Sequence, residues 1–170
     1  MINMIEIIGA KGNILDTDDL LIKTMSFAKE KNIAIQVFDA DLIFGKKHLV
    51  SAVNHAERAM QRETNTTNSL EMEILLYASG ERQLKLAIPK MGVKDNGTRF
   101  AFVIVGDKIS GETISKFLSL ISLNRDDKVL EGNVNTLKKF GLCKEEIMTV
   151  TKDKYENLIL EKVAMVDIIK

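Results

Sequence analysis

The sequence predicts a protein of the α+β (mixed α/β) class, in which about seven helices pack against a small sheet of three to four strands. Three short segments are rich in β-branched residues and too short to favour helices. Between and after them, apolar residues recur with helical spacing. The chain has one proline and no repeats or low-complexity linkers. Nothing therefore marks a domain boundary, and residues 1–170 form one predicted domain.

The individual elements follow in chain order from these patterns. We predict strands at residues 2–8, 33–38 and 100–105. The periodicity predicts helices at residues 16–31, 46–62, 69–79, 81–91, 112–123, 134–140 and 152–169. Asp16, Asp18 and Asp19 place carboxylates in the first turn of the first helix, which complements the positive end of its dipole. Because Pro89 lacks an N–H donor, we expect the fourth helix to kink or end before Met91.

Composition indicates an ordinary globular protein. Apolar residues make up 45% of the chain and charged residues 28%, which argues against disorder and against fibrous proteins. No apolar run approaches the length of a membrane span, and the first residues show no leader peptide. Cys143 is the single cysteine, so an internal disulfide and a redox-active cysteine pair are excluded. We expect a cytoplasmic protein with no membrane contact.

Charge is balanced overall but not along the chain. The 24 basic and 24 acidic residues give a net charge of zero, so no general field attracts nucleic acid. Residues 45–99 form the one segment with a basic excess, with nine basic and six acidic residues. Any site for a polyanion is therefore expected in this middle third.

The helix predicted at residues 46–62 has a polar face that fits a nucleic-acid strand. His55, Arg58 and Arg62 recur on one side of it, separate from its apolar stripe. Arginine side chains bind phosphate with two hydrogen bonds and also stack on bases. The alternative is a solvated face on which the arginines pair with Glu57 or Glu63.

The next stretch, residues 73–84 (EILLYASGERQL), predicts a sharp turn beside an anion site. Its first half is too apolar for a surface helix, so it crosses the core and turns at Ser79 and Gly80. The helix that follows offers free backbone N–H groups next to Arg82 and Gln83. Tyr77 is the nearby aromatic residue that can stack on a base, although a core position is the commoner role.

No motif makes a positive case for catalysis. Residues 9–12 (GAKG) do not complete a phosphate-binding loop, so we expect a turn there. Asp39 and Asp41 follow the second strand, where a small magnesium-dependent phosphotransfer or hydrolase domain would place its carboxylates. We favour a turn with one capping aspartate because no second acidic cluster follows. His48 and His55 are seven residues apart, which does not fit a zinc motif. We expect no enzyme activity, no catalytic residue, no metal and no cofactor.

Residues 73–84, with the preceding HLVSAVNHAERAM and the following KMGVK, resemble the Cgi family, the small kinase-binding subunits of the KEOPS complex. The resemblance is strongest over residues 38–106. It implies a non-catalytic regulatory subunit of the machine that makes threonylcarbamoyladenosine in tRNA. In this family the subunit binds and stimulates a small atypical kinase, and archaeal members hold the 3′ CCA end of tRNA. The implied partners are that kinase, the tRNA 3′ end and, indirectly, the other KEOPS subunits.

The resemblance also implies tRNA-binding residues by position, which fall on the basic face and at the sharp turn. They are His55, Arg58, Arg62, Tyr77, Ser79, Arg82 and Gln83, with Lys47, Lys90 and Lys94 as outer contacts.

For the kinase, the predicted surface is the apolar excess of the helix at residues 112–123 and the start of the next helix. More apolar residues occur there than one buried stripe needs, and exposed apolar clusters mark partner sites. The residues are Phe117, Leu118, Ile121, Leu123 and Val134. The alternatives are that these residues are all core, or that the C-terminal helix, with Leu158, Val163, Val166 and Ile169, is the docking surface.

Overall fold

A four-stranded antiparallel sheet forms the centre of the structure, a computed structural model that describes residues 3–170. The strand order is β2-β3-β1-β4. Within β1 and β3, Ile8 lies opposite Phe102, and the register shifts between Lys11 and Ile14. The strands are β1 (Met4–Ile14), β2 (Ala34–Asp39), β3 (Gly97–Gly106) and β4 (Asn124–Arg125).

Alternating side chains give the sheet two apolar faces, each covered by helices. On one face Ile8, Val37 and Phe102 pack against α1 and α5. On the other, Phe38 and Val103 contribute to a larger core with the remaining helices. The helices are α1 (Thr17–Lys31), α2 (Gly45–Gln61), α3 (Leu70–Ser79), α4 (Leu84–Met91), α5 (Gly111–Leu120), α6 (Val134–Phe140), α7 (Lys144–Ile147) and α8 (Tyr155–Ile169).

Three helices of the larger core, α2, α3 and α8, pack side by side and build the candidate site. His48 at the start of α2 contacts Ala78 at the end of α3, so these two helices are antiparallel. His55 of α2 contacts Asp167 near the end of α8, and Lys47 contacts Glu156 near its start. The helices α2 and α8 are therefore parallel.

The predicted α+β class and the small sheet are confirmed, and the differences concern individual elements. Residues 3–170 contain eight α-helices, since the single turn α7 has too few residues to show periodicity. The predicted turn at residues 9–12 is wrong, because β1 continues to Ile14. A Cβ on Gly9 would lie 2.5 Å from the carbonyl oxygen of Asp126. Glycine at this position therefore allows the backbone of residues 126–127 to pass close to β1, and it does not mark a turn. Of the first predicted strand, residue 2 lies outside the described residues.

Pro89 was expected to kink or end its helix before Met91, and an end before Met91 is wrong. Pro89 lies inside α4, which ends at Met91. Proline in a helix interior removes one hydrogen bond, and here only two helical residues follow it. Within residues 3–170, none of the helices is long and apolar enough to cross a membrane.

Candidate functional site

The polar face of α2 borders a shallow groove against α8, which we call the α2–α8 groove. Its volume is about 340 Å³. Arg58 is exposed beside it, and Leu160 of α8 forms part of its floor. Its remaining lining residues all belong to α2: Lys47, Val50, Ser51, Asn54 and His55. The groove thus combines two permanent cations with an imidazole, an amide and a hydroxyl.

A hydrogen-bonded network fixes His55 at the edge of this groove. The imidazole stacks on the Tyr77 ring, with centroids 5.4 Å apart and planes at 23°. Its Nδ1 lies 2.8 Å from Oδ2 of Asp167, and the Tyr77 hydroxyl donates to the other oxygen of that carboxylate. Burial opposes ionisation of Asp167, but the hydrogen bonds from Tyr77 and His55 hold its pKa below the ordinary value.

The hydrogen bond to Asp167 determines which ring nitrogen of His55 carries the proton. An ionised carboxylate only accepts hydrogen bonds, so Nδ1 must donate. An Arg58 nitrogen lies 3.1 Å from the same Nδ1, but two N–H groups cannot bond to each other. We therefore assign the Arg58 contact to packing. In the neutral ring, Nε2 is then left as an acceptor.

A second polar cluster lies behind the first, at the end of α8. Glu73 of α3 is fully buried, and Lys170 pairs with it at 2.8 Å with a side chain only 8% exposed. The Glu73 carboxylate also accepts from the backbone N–H groups of Thr66 and Thr67 and from the Thr67 hydroxyl at 2.7 Å. Burial works against ionisation, yet these hydrogen bonds and Lys170 lower the pKa of Glu73.

The chain crosses the core and turns at Ser79 and Gly80 as predicted, but the side chains of Tyr77 and Ser79 are not accessible to tRNA. Both are fully buried, so a direct contact of either side chain with tRNA is corrected to a supporting role. The Ser79 hydroxyl donates to the Leu76 carbonyl at 2.7 Å and accepts from the N–H of Glu81 at 3.1 Å. These bonds shape the turn at Gly80, whose φ of 70° is left-handed and favours glycine.

The Lys90 side chain, too, makes its contacts within the protein. Its ammonium donates to the Ser79 carbonyl at 2.6 Å, pairs with Glu81 at 3.3 Å and lies 3.8 Å above the Phe140 ring. Burial lowers its pKa. An outer contact of Lys90 with tRNA is therefore corrected to a structural role at the turn.

The remaining predicted tRNA residues spread along α2 rather than gathering at one point. Arg82 and Gln83 are exposed after the turn, at the end of α2 where His48 contacts Ala78. Arg62 follows the other end of α2, about 20 Å away at 1.5 Å per residue. Between these ends lie Lys47, His55 and Arg58. Lys94 is separate, because it pairs with Asp39 at 3.7 Å.

Asp39 and Asp41 make caps and ion pairs within the protein. Asp39 caps a short 3-10 helix by accepting from the N–H of Asp41 at 3.0 Å. Asp41 pairs with Arg99 at 3.4 Å and Lys139 at 3.3 Å. Among residues 3–170, no three acidic, histidine or cysteine side chains gather as a metal site would require. Both carboxylates line one cleft of about 220 Å³, but they are used there for capping and for ion pairs with lysine and arginine.

Four of the five residues predicted to contact the kinase belong to the core. The four side chains from α5 and the segment after it are at most 7% exposed, because this helix fills the space between α1 and the sheet. Val134 is half-buried against the larger core. The predicted exposure is therefore wrong for Phe117, Leu118, Ile121 and Leu123.

The exposed apolar residues lie elsewhere, and α1 and α8 carry three each. Ile22 and Met25 of α1 are 64% and 72% exposed. Beside them a groove of about 750 Å³ runs along the edge strand β2 to the start of α3. Leu21, Met25, Ile35, Val37 and Met72 are among its lining residues, and we call it the β2-edge groove. On α8, Ile168 is 74% exposed, whereas Leu158, Val163 and Val166 are buried.

Sequence reasoning missed Asn54, Asp167 and Lys170. Asn54 is four residues before Arg58 on the polar face that the periodicity identified, so helical spacing alone would have included it. Asp167 and Lys170 lie more than 100 residues from α2. A sequence without partner information gives no signal that joins them to His55 or Glu73.

Comparison with known proteins identifies the family. The family model described as kinase binding protein CGI-121 matches residues 13–167. A relative from Methanocaldococcus jannaschii, called regulatory protein Cgi121, is 33% identical over 138 residues, which cover 81% of this chain and 86% of the relative. The chain therefore belongs to the CGI-121 family of kinase-binding proteins.

Proposed function

We propose that this protein is a non-catalytic regulatory subunit of the KEOPS complex, acting in the cytoplasm, which binds the small atypical kinase and the 3′ CCA end of tRNA. In this role it supports threonylcarbamoyladenosine modification of tRNA. Family membership supports the kinase partner. The observation that carries the tRNA proposal is the line of exposed basic and amide side chains from Arg82 along α2 to Arg62.

A single-stranded tail suits this line better than a duplex does. The α2–α8 groove is shallow and one helix long, so it fits an unpaired strand whose bases and phosphates are both accessible. Guanidinium groups offer hydrogen bonds to phosphate and flat faces for bases. The net charge of zero means that this local arrangement, not a general field, supplies the attraction.

We expect tRNA binding at fixed salt to weaken when the CCA end is removed, and again in Arg58→Ala or Arg82→Ala with intact tRNA. Each arginine is exposed on the proposed line, and loss of one such contact is expected to cost about tenfold in affinity. Fluorescence anisotropy or gel shift measures both effects. The salt concentration must be held constant because phosphate contacts depend steeply on it.

Lys116→Ala provides the matched control. Lys116 carries the same charge but lies on α5, on the other face of the sheet, where it pairs with Glu112. It should bind intact tRNA as the wild type does. Equal binding of intact and trimmed tRNA by the wild type would refute the tRNA role and leave the kinase role standing.

For the kinase we propose the β2-edge groove as the docking surface. Four of the five predicted residues are buried, whereas this groove is an apolar cavity of about 750 Å³ that the exposed side chains of Ile22 and Met25 extend. Gln36 donates to the Val37 carbonyl at 2.9 Å, which satisfies one group at the edge of the sheet. Contact through apolar side chains is therefore favoured over addition of a strand.

We expect Met25→Asp to weaken the complex with the cognate kinase by at least about tenfold, because a charge is placed in an apolar interface. Met148→Asp is a closely matched control, since Met148 is also 72% exposed but lies after α7. Isothermal titration calorimetry or co-purification gives the comparison. If Ile168→Asp disrupts the complex and Met25→Asp does not, the kinase docks on the end of α8 instead.

A further inference from the structure

Asp167 stands outside every predicted site, yet it is the residue that holds His55 in place. It lies in the last turn of α8, and its side chain is 44% exposed. Its two carboxylate oxygens accept from His55 Nδ1 and from the Tyr77 hydroxyl. One side chain of α8 is therefore bonded to two side chains that belong to two other helices.

We propose that Asp167 is a positioning residue for a nucleotide bound in the α2–α8 groove. It fixes the tautomer and ring plane of His55, so that Nε2 accepts a hydrogen bond from the bound strand. This inference rests on the proposed tRNA function, and it adds a residue and a role that neither the sequence pattern nor family membership assigns.

The tautomer follows from the chemistry of the carboxylate. Since Nδ1–H donates to Asp167 at 2.8 Å, the neutral imidazole has its unshared electron pair on Nε2. The ring plane is fixed as well, by stacking on Tyr77 at a centroid distance of 5.4 Å. The Tyr77 hydroxyl also donates to Asp167. The His55 ring, the Tyr77 ring and the Asp167 carboxylate therefore each contact the other two.

The ligand chemistry follows from the side chains that line the groove together with His55. Lys47 and Arg58 offer only donors, Ser51 and Asn54 offer both donors and acceptors, and all of them border the same groove as His55. An unpaired nucleotide presents phosphate acceptors together with donors, namely the 2′-hydroxyl and the exocyclic amines. In this arrangement Lys47 and Arg58 bind the phosphate, and Nε2 of His55 accepts a hydrogen bond from a donor group of the nucleotide.

The sign of the effect separates positioning from simple electrostatics. Asp167 is a negative charge beside a surface that binds a polyanion, so its removal should strengthen tRNA binding on charge alone. If Asp167 positions His55, its removal weakens binding. The two explanations therefore predict opposite changes for the same substitution.

The experiment compares Asp167→Ala with Glu161→Ala, using tRNA with and without its CCA end at fixed salt. Both variants lose one negative charge from α8, but Glu161 is exposed and has no hydrogen-bond or ion-pair partner within residues 3–170. We expect about tenfold weaker binding of intact tRNA by Asp167→Ala, and unchanged or slightly tighter binding by Glu161→Ala. Equal or tighter binding by Asp167→Ala would overturn the proposal.

A second readout does not require tRNA. The ¹⁵N chemical shifts of the two imidazole nitrogens distinguish the tautomers at alkaline pH, and only two histidines need assignment. The Nδ1–H form of His55 is expected in the wild type, and a mixture or the Nε2–H form in Asp167→Ala. An unchanged tautomer in the variant would overturn the positioning role. Failure of the proposed function is recognised separately, because wild-type protein would then bind intact and trimmed tRNA alike.

Discussion

Replacing Glu73 with alanine is expected to lower the free energy of unfolding by about 3–5 kcal/mol, the usual cost of removing one partner of a buried ion pair. Glu73 is fully buried, and Lys170 is 8% exposed. The substitution leaves the Lys170 ammonium without its counter-ion. It also leaves the N–H groups of Thr66 and Thr67 without an acceptor. Urea denaturation followed by circular dichroism measures the change.

Two controls give this result its meaning. Glu71→Ala removes the same charge two residues earlier on α3, from a partly exposed position, and should change stability by no more than about 0.5 kcal/mol. Lys170→Met should cost less than Glu73→Ala, since Glu73 keeps its donors from Thr66 and Thr67. Equal stability of Glu73→Ala and wild type would show that this pair does not hold α8 against α3.

The same carboxylate contributes to acid sensitivity. Its pKa is lowered in the folded protein, so the unfolded chain binds the proton more readily than the folded chain. The stability that Glu73 supplies is therefore complete above its unfolded pKa and is lost as the pH falls through the folded value. Glu73→Gln should show a weaker loss of stability in this acidic range.

The free energy of unfolding is also expected to fall by about 3 kcal/mol as the pH drops from 6.5 to 4, because of His48. His48 is fully buried; its Nε2–H donates to the Ala78 carbonyl at 2.8 Å, and its Nδ1 accepts from the N–H of Phe44 at 3.1 Å. Burial, with a smaller contribution from the charge of Lys90, lowers the pKa of His48 from 6.5 to about 4. Since the unfolded chain takes up the proton first, stability is complete above pH 6.5 and declines below it.

Urea unfolding measured at pH 7.5, 6, 5 and 4.5 tests this dependence. These values lie above the pH range in which protonation of carboxylates dominates the loss of stability. His48→Gln is expected to be less stable than the wild type at pH 7.5, but nearly independent of pH down to 5. A wild-type protein with the same stability at pH 7.5 and pH 5 would contradict the assigned role of His48.

The fold was predictable where one local pattern decided the outcome. The apolar spacing on α2 and α8 and the β-branched runs of β2 and β3 lie within continuous stretches, and the helices and strands form there. The pattern failed at β1, where small residues at 9–12 suggested a turn. Gly9 lies against residues 126–127 and Gly12 against residues 122–123. Both are contacts between distant parts of the sequence.

For the candidate site too, the sequence predicted the features that one helix determines and missed those that depend on packing between helices. The polar face of α2 is a property of one helix, and the periodicity identified His55, Arg58 and Arg62 on it. Burial depends on the packing of several helices, so the sequence did not reveal that Tyr77 is enclosed by α2 and α8. It did not reveal either that α5 fills the space between α1 and the sheet.

The position of β1 in the sheet has a consequence for synthesis of the chain. Its partners come late, since Ile8 lies opposite Phe102 and Ala10 opposite Arg125. At 5–20 residues per second, a ribosome needs about 5 to 20 seconds to make the intervening residues. During this interval α1 to α4 are synthesised, but β3 and β4, the two neighbours of β1, are not yet available. Because pairing over such a separation is slow, we expect β1, the first strand to be synthesised, to be among the last to pair with its neighbours.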